Sequence, residues 1–383
     1  MPENLPSPER PAGADASERP TRPAAMPRPL SDQVVVITGA SSGAGLATAQ
    51  AFAAQGARVV MAARNAADLD RAAAALRGQG AEALSMPTDV TDRHAVEALA
   101  AGAVDAFGRI DTWVNNAGVS AYAAVREQPW EDIEQVMRIN FLGQVHGAQV
   151  ALPHLEASGG ALVCTASVLG DLAVPYQAAY CASKHAVVGF MSALRIELDK
   201  AESAVRLTVL KPSSMNTPLF AKAKTQLGAK PQPLGPTYQP EVFAEAVLRA
   251  AAGHEREIYV GGAGKAAALA QRVTPKLVAA QLGSSLAQSP AGDTPKAVDA
   301  PNNLYGPVAS DGGVRGAFSA RAHASSPYQA VAAHAVVASS VAASAAGAAA
   351  LAAAPRDRTL AALLGLGALA FAGKALTAAL TER

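Results

Sequence analysis

The sequence predicts an α/β fold, a doubly wound parallel sheet of seven strands with helices on both faces. From residue 33 onward, short runs of β-branched residues alternate with alanine-rich helical stretches. This alternation is typical of a parallel sheet that is covered by helices on both faces. The predicted strands cover residues 34–38, 58–62, 83–86, 112–115, 161–165, 206–211 and 258–260. Right-handed crossovers join them into one sheet.

Capping residues predict where several helices begin and end. The first helix runs from about residue 44 to residue 55 and stops at Gly56, a glycine suited to a left-handed cap. The second begins after Asn65, a favourable N-cap residue. Longer helical stretches cover residues 131–156 and 177–201.

The 383 residues divide into a tail, one domain and an extension. Residues 1–30 hold 8 of the 25 prolines and show no apolar period, which indicates a disordered tail. Residues 31–282 have the size of one domain. Residues 283–330 are rich in serine, glycine and proline and are predicted to form a linker, and residues 331–383 form an alanine-rich apolar segment.

Composition excludes several classes of function. The 32 Lys and Arg residues balance 31 Asp and Glu residues with no basic block, so binding to nucleic acid is not expected. Two cysteines, Cys164 and Cys181, are too few for a disulfide framework or a zinc site, and no metal is expected. The first residues lack the pattern of a secretory signal, so a cytoplasmic location is expected.

A glycine-rich turn lies between the first predicted strand and the first helix. Gly39, Gly43 and Gly45 surround Ser41 and Ser42 there. Glycine lets the backbone approach a pyrophosphate closely, and the start of a helix offers free N–H groups. The alternative is that these glycines only serve close packing. Position favours the dinucleotide, because this is the first strand-to-helix turn of the domain.

A tyrosine and a lysine, Tyr180 and Lys184, lie four residues apart on a predicted helix and therefore share one face. A nearby ammonium group stabilises a phenolate and so brings proton transfer within reach of a tyrosine. Ser167 follows a predicted strand, where its hydroxyl could hold a carbonyl oxygen. Taken alone, the tyrosine and lysine are an ordinary half-exposed pair; together with the glycine turn they indicate an active site.

These motifs and their order resemble the short-chain dehydrogenase/reductase (SDR) family. The resemblance rests on the glycine turn after Thr38, on the segment Asn115-Asn116-Ala117-Gly118, on Asn140, on Ser167 with Tyr180 and Lys184, and on Pro212 with Thr217. It implies a Rossmann-like, NAD(P)-binding domain over residues 31–282 and a homodimer or homotetramer. It also implies an oxidoreductase that interconverts a carbonyl and an alcohol.

The resemblance further implies a role for each residue. Tyr180 would be the general acid or base, and Ser167 would bond the substrate oxygen. Lys184 would lower the tyrosine's pKa and bind the nicotinamide ribose, and Asn140 would hold a water that links Lys184 to solvent. The residues implied to bind the cofactor are Gly39, Ser41, Ser42, Gly43, Gly45, Arg64, Asp89, Val90, Asn116, Tyr180, Lys184, Pro212 and Thr217.

The end of the second strand bears on the choice of cofactor. An acidic residue there would bond the 2′-hydroxyl of NAD, but this chain has Ala63 followed by Arg64. Arg64 can pair with a 2′-phosphate, so NADP(H) is favoured over NAD(H). The alternative is a solvated arginine at a strand end. Asp89 has two interpretations as well, an adenine contact or a helix cap.

The predicted substrate-facing residues Val168, Leu169 and Tyr176 and the stretch 218–220 are mostly apolar, which suggests an apolar carbonyl or alcohol as substrate. For residues 331–380, a hairpin that enters or spans a membrane is one hypothesis, because residues 331–354 are long enough to cross a bilayer. The alternatives are alanine-rich helices packed on the domain or on another subunit, or low-complexity sequence.

Two classes of function follow from these observations. The first is the oxidoreductase, and the second is a non-catalytic dinucleotide-binding sensor or scaffold that uses the C-terminal extension to bind a partner or a membrane. The presence of all four residues of the catalytic set, Asn140, Ser167, Tyr180 and Lys184, favours the enzyme.

Overall fold

A computed structural model describes residues 26–286, 291–308 and 312–329 of the chain. The predictions for residues 1–25 and for the apolar segment 331–383, including the membrane hairpin, lie outside these residues. None of the helices within the described ranges is long and apolar enough to cross a membrane.

Seven parallel strands form the central sheet and confirm the predicted Rossmann-like, doubly wound fold. They are β1 (Val34–Thr38), β2 (Arg58–Ala63), β3 (Ala83–Pro87), β4 (Thr112–Asn115), β5 (Ala161–Thr165), β6 (Arg206–Pro212) and β7 (Glu257–Val260). Their order across the sheet is β7-β6-β5-β4-β1-β2-β3. The order reverses between β1 and β4, which is where such sheets bind ligands.

The hydrophobic strands explain why both faces of the sheet are covered. All five residues of β1 are buried. Val35 and Ile37 pack on one face with Phe52 and Phe243, whereas Val34 and Val36 pack on the other face among residues that include Trp113. Successive side chains of a strand point to opposite faces, so a strand that is apolar throughout needs helices on both sides.

The helices follow the predicted rhythm. They are α1 (Gly43–Ala54), α2 (Ala66–Gly78), α3 (Arg93–Phe107), α4 (Trp130–Met137), α5 (Gly143–Ser158), α6 (Ala178–Lys200), α7 (Leu219–Lys222), α8 (Pro240–Ala252), α9 (Gly262–Val273) and α10 (Pro275–Leu286). Asn65 caps α2 by accepting a hydrogen bond from the Asp68 N–H at 3.2 Å. A turn of π-helix, Arg138–Leu142, joins α4 to α5.

The composition of residues 283–330 predicts a linker, but the described part of this segment packs on the domain. Helix α10 continues to Leu286, and the strand Ala291–Pro295 pairs antiparallel with Ala229–Pro231. Leu304 is fully buried in a cluster with Val90, Val136 and Ile139. Isolated apolar residues and backbone hydrogen bonds anchor the segment, and a composition dominated by small and polar residues does not reveal such anchors.

The end of the predicted tail also lies on the domain. Arg28 Nε donates to Asp111 Oδ1 at 3.1 Å, and Leu30–Asp32 form a short 3-10 helix. Arg28 and Leu30 are therefore held on the domain, whereas the sequence predicts a disordered tail as far as residue 30.

Candidate active site

One cavity of about 470 Å³ lies at the carboxyl ends of the strands. Its lining includes residues that directly follow each of the strands β1 to β6. The predicted site residues in the lining are Gly39, Ser41, Ser42, Gly43, Gly45, Arg64, Asp89, Val90, Asn116, Ser167, Tyr180, Lys184, Pro212 and Thr217. The structure therefore brings the predicted cofactor residues and three of the four predicted catalytic residues into one cavity; Asn140 lies just outside its lining.

The turn between β1 and α1 requires its glycines. Gly39 and Gly43 have φ angles of +71° and +59°, which disfavour a side chain. A Cβ on Gly45 would overlap the carbonyl oxygen of Gly39. The Gly43 N–H donates to the Gly313 carbonyl oxygen at 3.0 Å, so this donor is engaged within the chain.

Asn116 connects the ends of β1 and β4. Its Nδ2 donates to the Thr38 carbonyl oxygen at 3.0 Å. The Thr38 hydroxyl oxygen accepts from the N–H groups of Asn116 and Ala117, at 3.0 and 3.1 Å. Asn116 thus fixes the glycine turn against the neighbouring strand as well as lining the cavity.

Arg64 lies at the end of β2, where the sequence places the choice of cofactor. Its Nη2 donates to the main-chain carbonyl oxygen of Asn303 at 2.6 Å. Its Nη1 is buried and has no hydrogen-bond partner among the described residues. The guanidinium is therefore held in place by one contact and keeps unused donors at the cavity.

Asp89 lies after β3 and shapes the turn before α3. Its Oδ1 accepts from the N–H and the hydroxyl of Thr91, both at 2.9 Å. The N-cap of α3 is instead Asp92, which accepts from the His94 N–H at 2.9 Å. Asp89 lines the cavity beside Val90, and its contact with an adenine stays a prediction.

Tyr180 and Ser167 come from different elements and meet at the cavity. Tyr180 lies in the first turn of α6. Ser167 precedes the 3-10 turn Val168–Gly170, and its hydroxyl oxygen accepts from the Leu169 N–H at 3.1 Å. Burial raises the pKa of Tyr180 to about 12, and its hydrogen bond with Ser167 acts in the opposite direction. The phenol is therefore protonated at neutral pH.

Lys184 lies one helical turn after Tyr180 and is buried. Its Nζ donates to the Thr165 carbonyl oxygen at 2.9 Å and lies 5.6 Å from the centre of the Tyr180 ring. Burial disfavours the charged ammonium and lowers the pKa of Lys184 to about 8. Because burial dominates the pKa of both groups, the lowering of the tyrosine's pKa by Lys184 stays a prediction.

Asn140 lies in the π-helical turn and is fully buried. Its Oδ1 accepts from the Val119 N–H at 2.8 Å, and its Nδ2 donates to Ser183 Oγ at 3.1 Å. A Cβ on Gly118 would lie 3.4 Å from Asn140 Oδ1 and 3.8 Å from Lys184 Nζ. Asn140 therefore approaches Lys184 across Gly118, and a water between them stays a prediction.

The segment after β6 closes the cavity beside the glycine turn. The carbonyl oxygen of Pro212 accepts from Ser167 Oγ at 3.5 Å. Thr217 lies against Gly43, where a Cβ would come within 3.2 Å of the threonine Cβ. Lys222 Nζ donates to Ser42 Oγ at 3.0 Å. A cation from α7 therefore lies at the turn that the sequence assigns to phosphate.

The walls beyond Tyr180 are apolar. Val168, Leu169 and the stretch 218–220 line the cavity as predicted, but Tyr176 does not. Further apolar lining residues include Tyr122, Leu172, Val174, Met215, Leu234, Phe243, Ala267 and Leu282. Two of them, Leu234 and Leu282, come from a loop and a helix that sequence reasoning did not assign to the site.

Sequence reasoning also missed Lys222, Asn303, Pro307 and Val308, which all line the cavity. The last three belong to the segment 301–308, Pro-Asn-Asn-Leu-Tyr-Gly-Pro-Val. Its leucine and tyrosine, which follow two asparagines, differ from the serine- and alanine-rich sequence around the segment. This was the one available signal that the segment packs on the domain.

The residues present fit a dinucleotide on two observations. The glycine turn and Arg64 line the same cavity, and the buried Arg64 Nη1 and Asn303 Oδ1 both lack hydrogen-bond partners among the described residues. Buried polar atoms are normally paired, so these two indicate a polar ligand group between them. No group of His, Cys, Asp and Glu residues within the described ranges is arranged to hold a metal ion.

Comparisons with known sequences agree with this geometry. A model of the short chain dehydrogenase family matches residues 33–228. The uncharacterized oxidoreductase YxnA of Bacillus subtilis is 38% identical to the chain over 251 residues, which cover 65% of this chain and 70% of the relative.

Solved structures show the same similarity. The crystal structure of a short chain dehydrogenase/reductase from Burkholderia phymatum in complex with NAD has a TM-score of 0.59 and 30% identity, and covers 64% of this chain and 94% of that one. An alcohol dehydrogenase from the archaeon Thermococcus sibiricus, complexed with 5-hydroxy-NADP, has a TM-score of 0.53 and 28% identity, and covers 59% of this chain and 95% of that one.

Proposed function

The chain belongs to the short-chain dehydrogenase/reductase family, and from this premise we propose that it interconverts a carbonyl group and an alcohol with NADP(H), with Tyr180 as general acid and base. The observation that carries the proposal is that Ser167, Tyr180 and Lys184 line the same cavity as the glycine turn. A cofactor on that turn and a substrate beside Tyr180 would then share one enclosed space.

In the reductive direction the tyrosine is the proton donor. The nicotinamide cofactor, when bound, supplies the hydride. The Tyr180 phenol donates its proton to the substrate's carbonyl oxygen, and the raised pKa of about 12 keeps that proton on the phenol at neutral pH. In the oxidative direction the phenolate accepts the proton from the alcohol.

Ser167 and Lys184 support the proton transfer. The Ser167 hydroxyl lies close enough to bond Tyr180 and donates a hydrogen bond to the same substrate oxygen, which orients the carbonyl carbon for the hydride. Lys184 in its ammonium form stabilises negative charge on the phenolate and bonds the nicotinamide ribose. Asn140, held by Val119 and Ser183, keeps the region behind Lys184 fixed.

The preference for NADP(H) rests on Arg64. No acidic side chain stands at the end of β2, where Ala63 precedes Arg64, and the guanidinium keeps unused donors at the cavity. A guanidinium pairs well with a phosphate, whereas a carboxylate at this place would repel it.

The apolar walls beyond Tyr180 favour an apolar ketone, aldehyde or alcohol as substrate. We also propose a homodimer or homotetramer, because Leu142 and Ile196 are 42% and 69% exposed on the π-helical turn and on α6. Burying such residues between subunits would remove apolar surface from water.

The test is NADPH oxidation by the full chain against ketones and aldehydes of increasing apolar size. Tyr180→Phe removes the proton donor and is expected to lower turnover by about 100-fold or more, whereas its NADPH affinity, measured by cofactor fluorescence, stays close to that of the wild type. Tyr176→Phe is the matched control, since Tyr176 lies outside the cavity lining.

Three outcomes distinguish the hypotheses. Turnover at the wild-type rate in Tyr180→Phe would show that another group transfers the proton. Wild-type protein that binds NADPH but turns over nothing in the panel would favour the non-catalytic sensor or scaffold. Wild-type protein that binds no nicotinamide nucleotide would contradict the proposal as a whole.

A further inference from the structure

Residues 296–308 of the C-terminal extension form a strap that is anchored on the domain. The Lys296 ammonium donates to the carbonyl oxygens of Ala221 and Ala223, at 2.7 and 2.6 Å. Leu304 is fully buried, and the Tyr305 hydroxyl donates to Asp132 Oδ1 at 2.7 Å. These anchors fix the strap on both sides of Asn303.

The strap reaches the cavity at Arg64, away from the catalytic tyrosine. Asn303, Pro307 and Val308 line the same cavity as the glycine turn. The carbonyl oxygen of Asn303 accepts from Arg64 Nη2, and that of Val308 accepts from Asn65 Nδ2 at 3.3 Å. The strap therefore contacts the two residues that directly follow β2.

Two buried polar atoms at this junction are unpaired among the described residues, Nη1 of Arg64 and Oδ1 of Asn303. One is a hydrogen-bond donor and belongs to the domain; the other is a side-chain amide oxygen and belongs to the strap. Leaving such atoms buried without a partner is unfavourable, so their position at the cavity wall indicates that both side chains have hydrogen-bonding capacity left for a polar ligand group.

We propose that Asn303 is a cofactor-selecting residue, which together with Arg64 binds the 2′-phosphate of the adenosine ribose. The inference rests on the proposed NADP(H)-dependent function and adds a residue from outside the catalytic domain's own motifs. Arg64 donates from Nη1 to the phosphate. The Asn303 amide, which presents either its oxygen or its nitrogen when it turns over, donates from Nδ2 to the same phosphate.

The main chain and the side chain of Asn303 have separate roles, and this makes the proposal testable. The carbonyl oxygen orients Arg64 whatever the side chain is. Asn303→Ala therefore removes only the second contact. Asn303→Asp keeps the size of the side chain but replaces the donor with a negative charge, which repels a phosphate and still accepts a hydrogen bond from a hydroxyl.

The experiment measures dissociation constants of the full chain for NADPH, NADH and 2′,5′-ADP by fluorescence and calorimetry. Asn303→Asp is expected to weaken the binding of NADPH and 2′,5′-ADP about tenfold or more, and Asn303→Ala is expected to weaken it about threefold. The affinity for NADH is expected to stay within about twofold for both variants, since NADH has no 2′-phosphate for these changes to affect.

Asn302→Asp is the matched control, because it adds the same charge one residue away. Asn302 donates to the Ala300 carbonyl oxygen and does not line the cavity. We expect its ratio of NADPH to NADH affinity to stay within about twofold of the wild type, because the added carboxylate lies outside the cavity lining.

The outcomes separate the two proposals. If Asn303→Asp keeps the wild-type affinity for NADPH, or loses affinity for NADPH and NADH equally, the role of Asn303 is overturned while the proposed function stands. Wild-type protein that binds neither nucleotide, or that prefers NADH, overturns the NADP(H)-dependent function itself, and the role of Asn303 falls with it.

Discussion

Lys184 Nζ lies 5.6 Å from the centre of the Tyr180 ring and donates its hydrogen bond to the Thr165 carbonyl oxygen. The lysine is 3% exposed, and burial lowers its pKa to about 8. The ammonium form that the proposed mechanism needs is therefore present below pH 8 and is lost as the pH rises through that value.

The first prediction concerns this loss of charge. The value of kcat/KM for NADPH, which reports the pKa values of the free enzyme, is expected to fall as the pH rises above about 8. Arginine stays charged to higher pH. In folded Lys184→Arg protein, the pH at which kcat/KM falls is therefore expected to rise by about one pH unit or more. Lys200→Arg, at the exposed end of the same helix, is the control. If kcat/KM falls at the same pH in Lys184→Arg as in the wild type, the titrating group is not Lys184.

The second prediction concerns the glycine turn. A Cβ on Gly45 would overlap the Gly39 carbonyl oxygen, so Gly45→Ala forces the backbone of the turn to move. We expect the free energy of unfolding to fall by about 1–3 kcal/mol and the NADPH affinity to fall with it. Urea denaturation and fluorescence titration measure the two effects.

Gly78→Ala is the control for this substitution. Gly78 is the last residue of α2, and a Cβ there would meet nothing within 4 Å. Alanine is the better helix former, so the control is expected to stabilise the chain by up to about 1 kcal/mol. Equal effects of the two substitutions would show that the turn tolerates a side chain.

The glycine turn and the tyrosine–lysine pair were predictable because both are local patterns. A turn that needs positive φ selects glycine, and two residues four apart on a helix share a face whatever the rest of the chain does. The strands were predictable for a similar reason. The residues of the central strands β1, β4 and β5 are all buried, so each of these strands is a short, mostly apolar run, and all three have the predicted bounds.

The strap at Asn303 was not predictable, because its contacts join residues far apart in the sequence. Arg64 and Asn303 are separated by 239 positions, and neither sits in a periodic pattern that points to the other. Lys211 is a second case. A lysine near the end of a strand is usually solvated, but its carboxylate partners come from a turn and a strand 40 and 46 positions away.

The third prediction concerns this buried lysine. Lys211 is 1% exposed, and its Nζ lies 3.0 Å from both Asp171 Oδ1 and Glu257 Oε1. Lys211→Met would leave the buried Asp171 with the Tyr259 hydroxyl and the exposed Arg272, whose Nη2 lies 3.8 Å from Asp171 Oδ1. Removing one partner of a buried ion pair costs about 3–5 kcal/mol, and a loss of this size is expected in urea denaturation.

Lys200→Met is the control for Lys211→Met, because it removes the same charge from an exposed position. Its unfolding free energy is expected to stay within about 0.5 kcal/mol of the wild type. Asp171 directly follows the turn Val168–Gly170 next to Ser167, so Lys211→Met is also expected to raise KM for the carbonyl substrate. Wild-type stability in Lys211→Met would show that Asp171 tolerates the loss of its cation.

The last prediction joins the strap to cofactor binding through Leu304, which is fully buried against Val90 and Ile139 and lies next to Asn303. Leu304→Ala leaves a cavity there and is expected to lower the unfolding free energy by about 2–5 kcal/mol. Because the strap also positions Asn303 against Arg64, the same change is expected to lower the affinity for NADPH more than the affinity for NADH. Leu99→Ala is the control, since Leu99 is equally buried but packs in a separate cluster with Val96 and Trp113. If both variants lose the same stability and keep the wild-type ratio of NADPH affinity to NADH affinity, the strap stabilises the fold without selecting the cofactor.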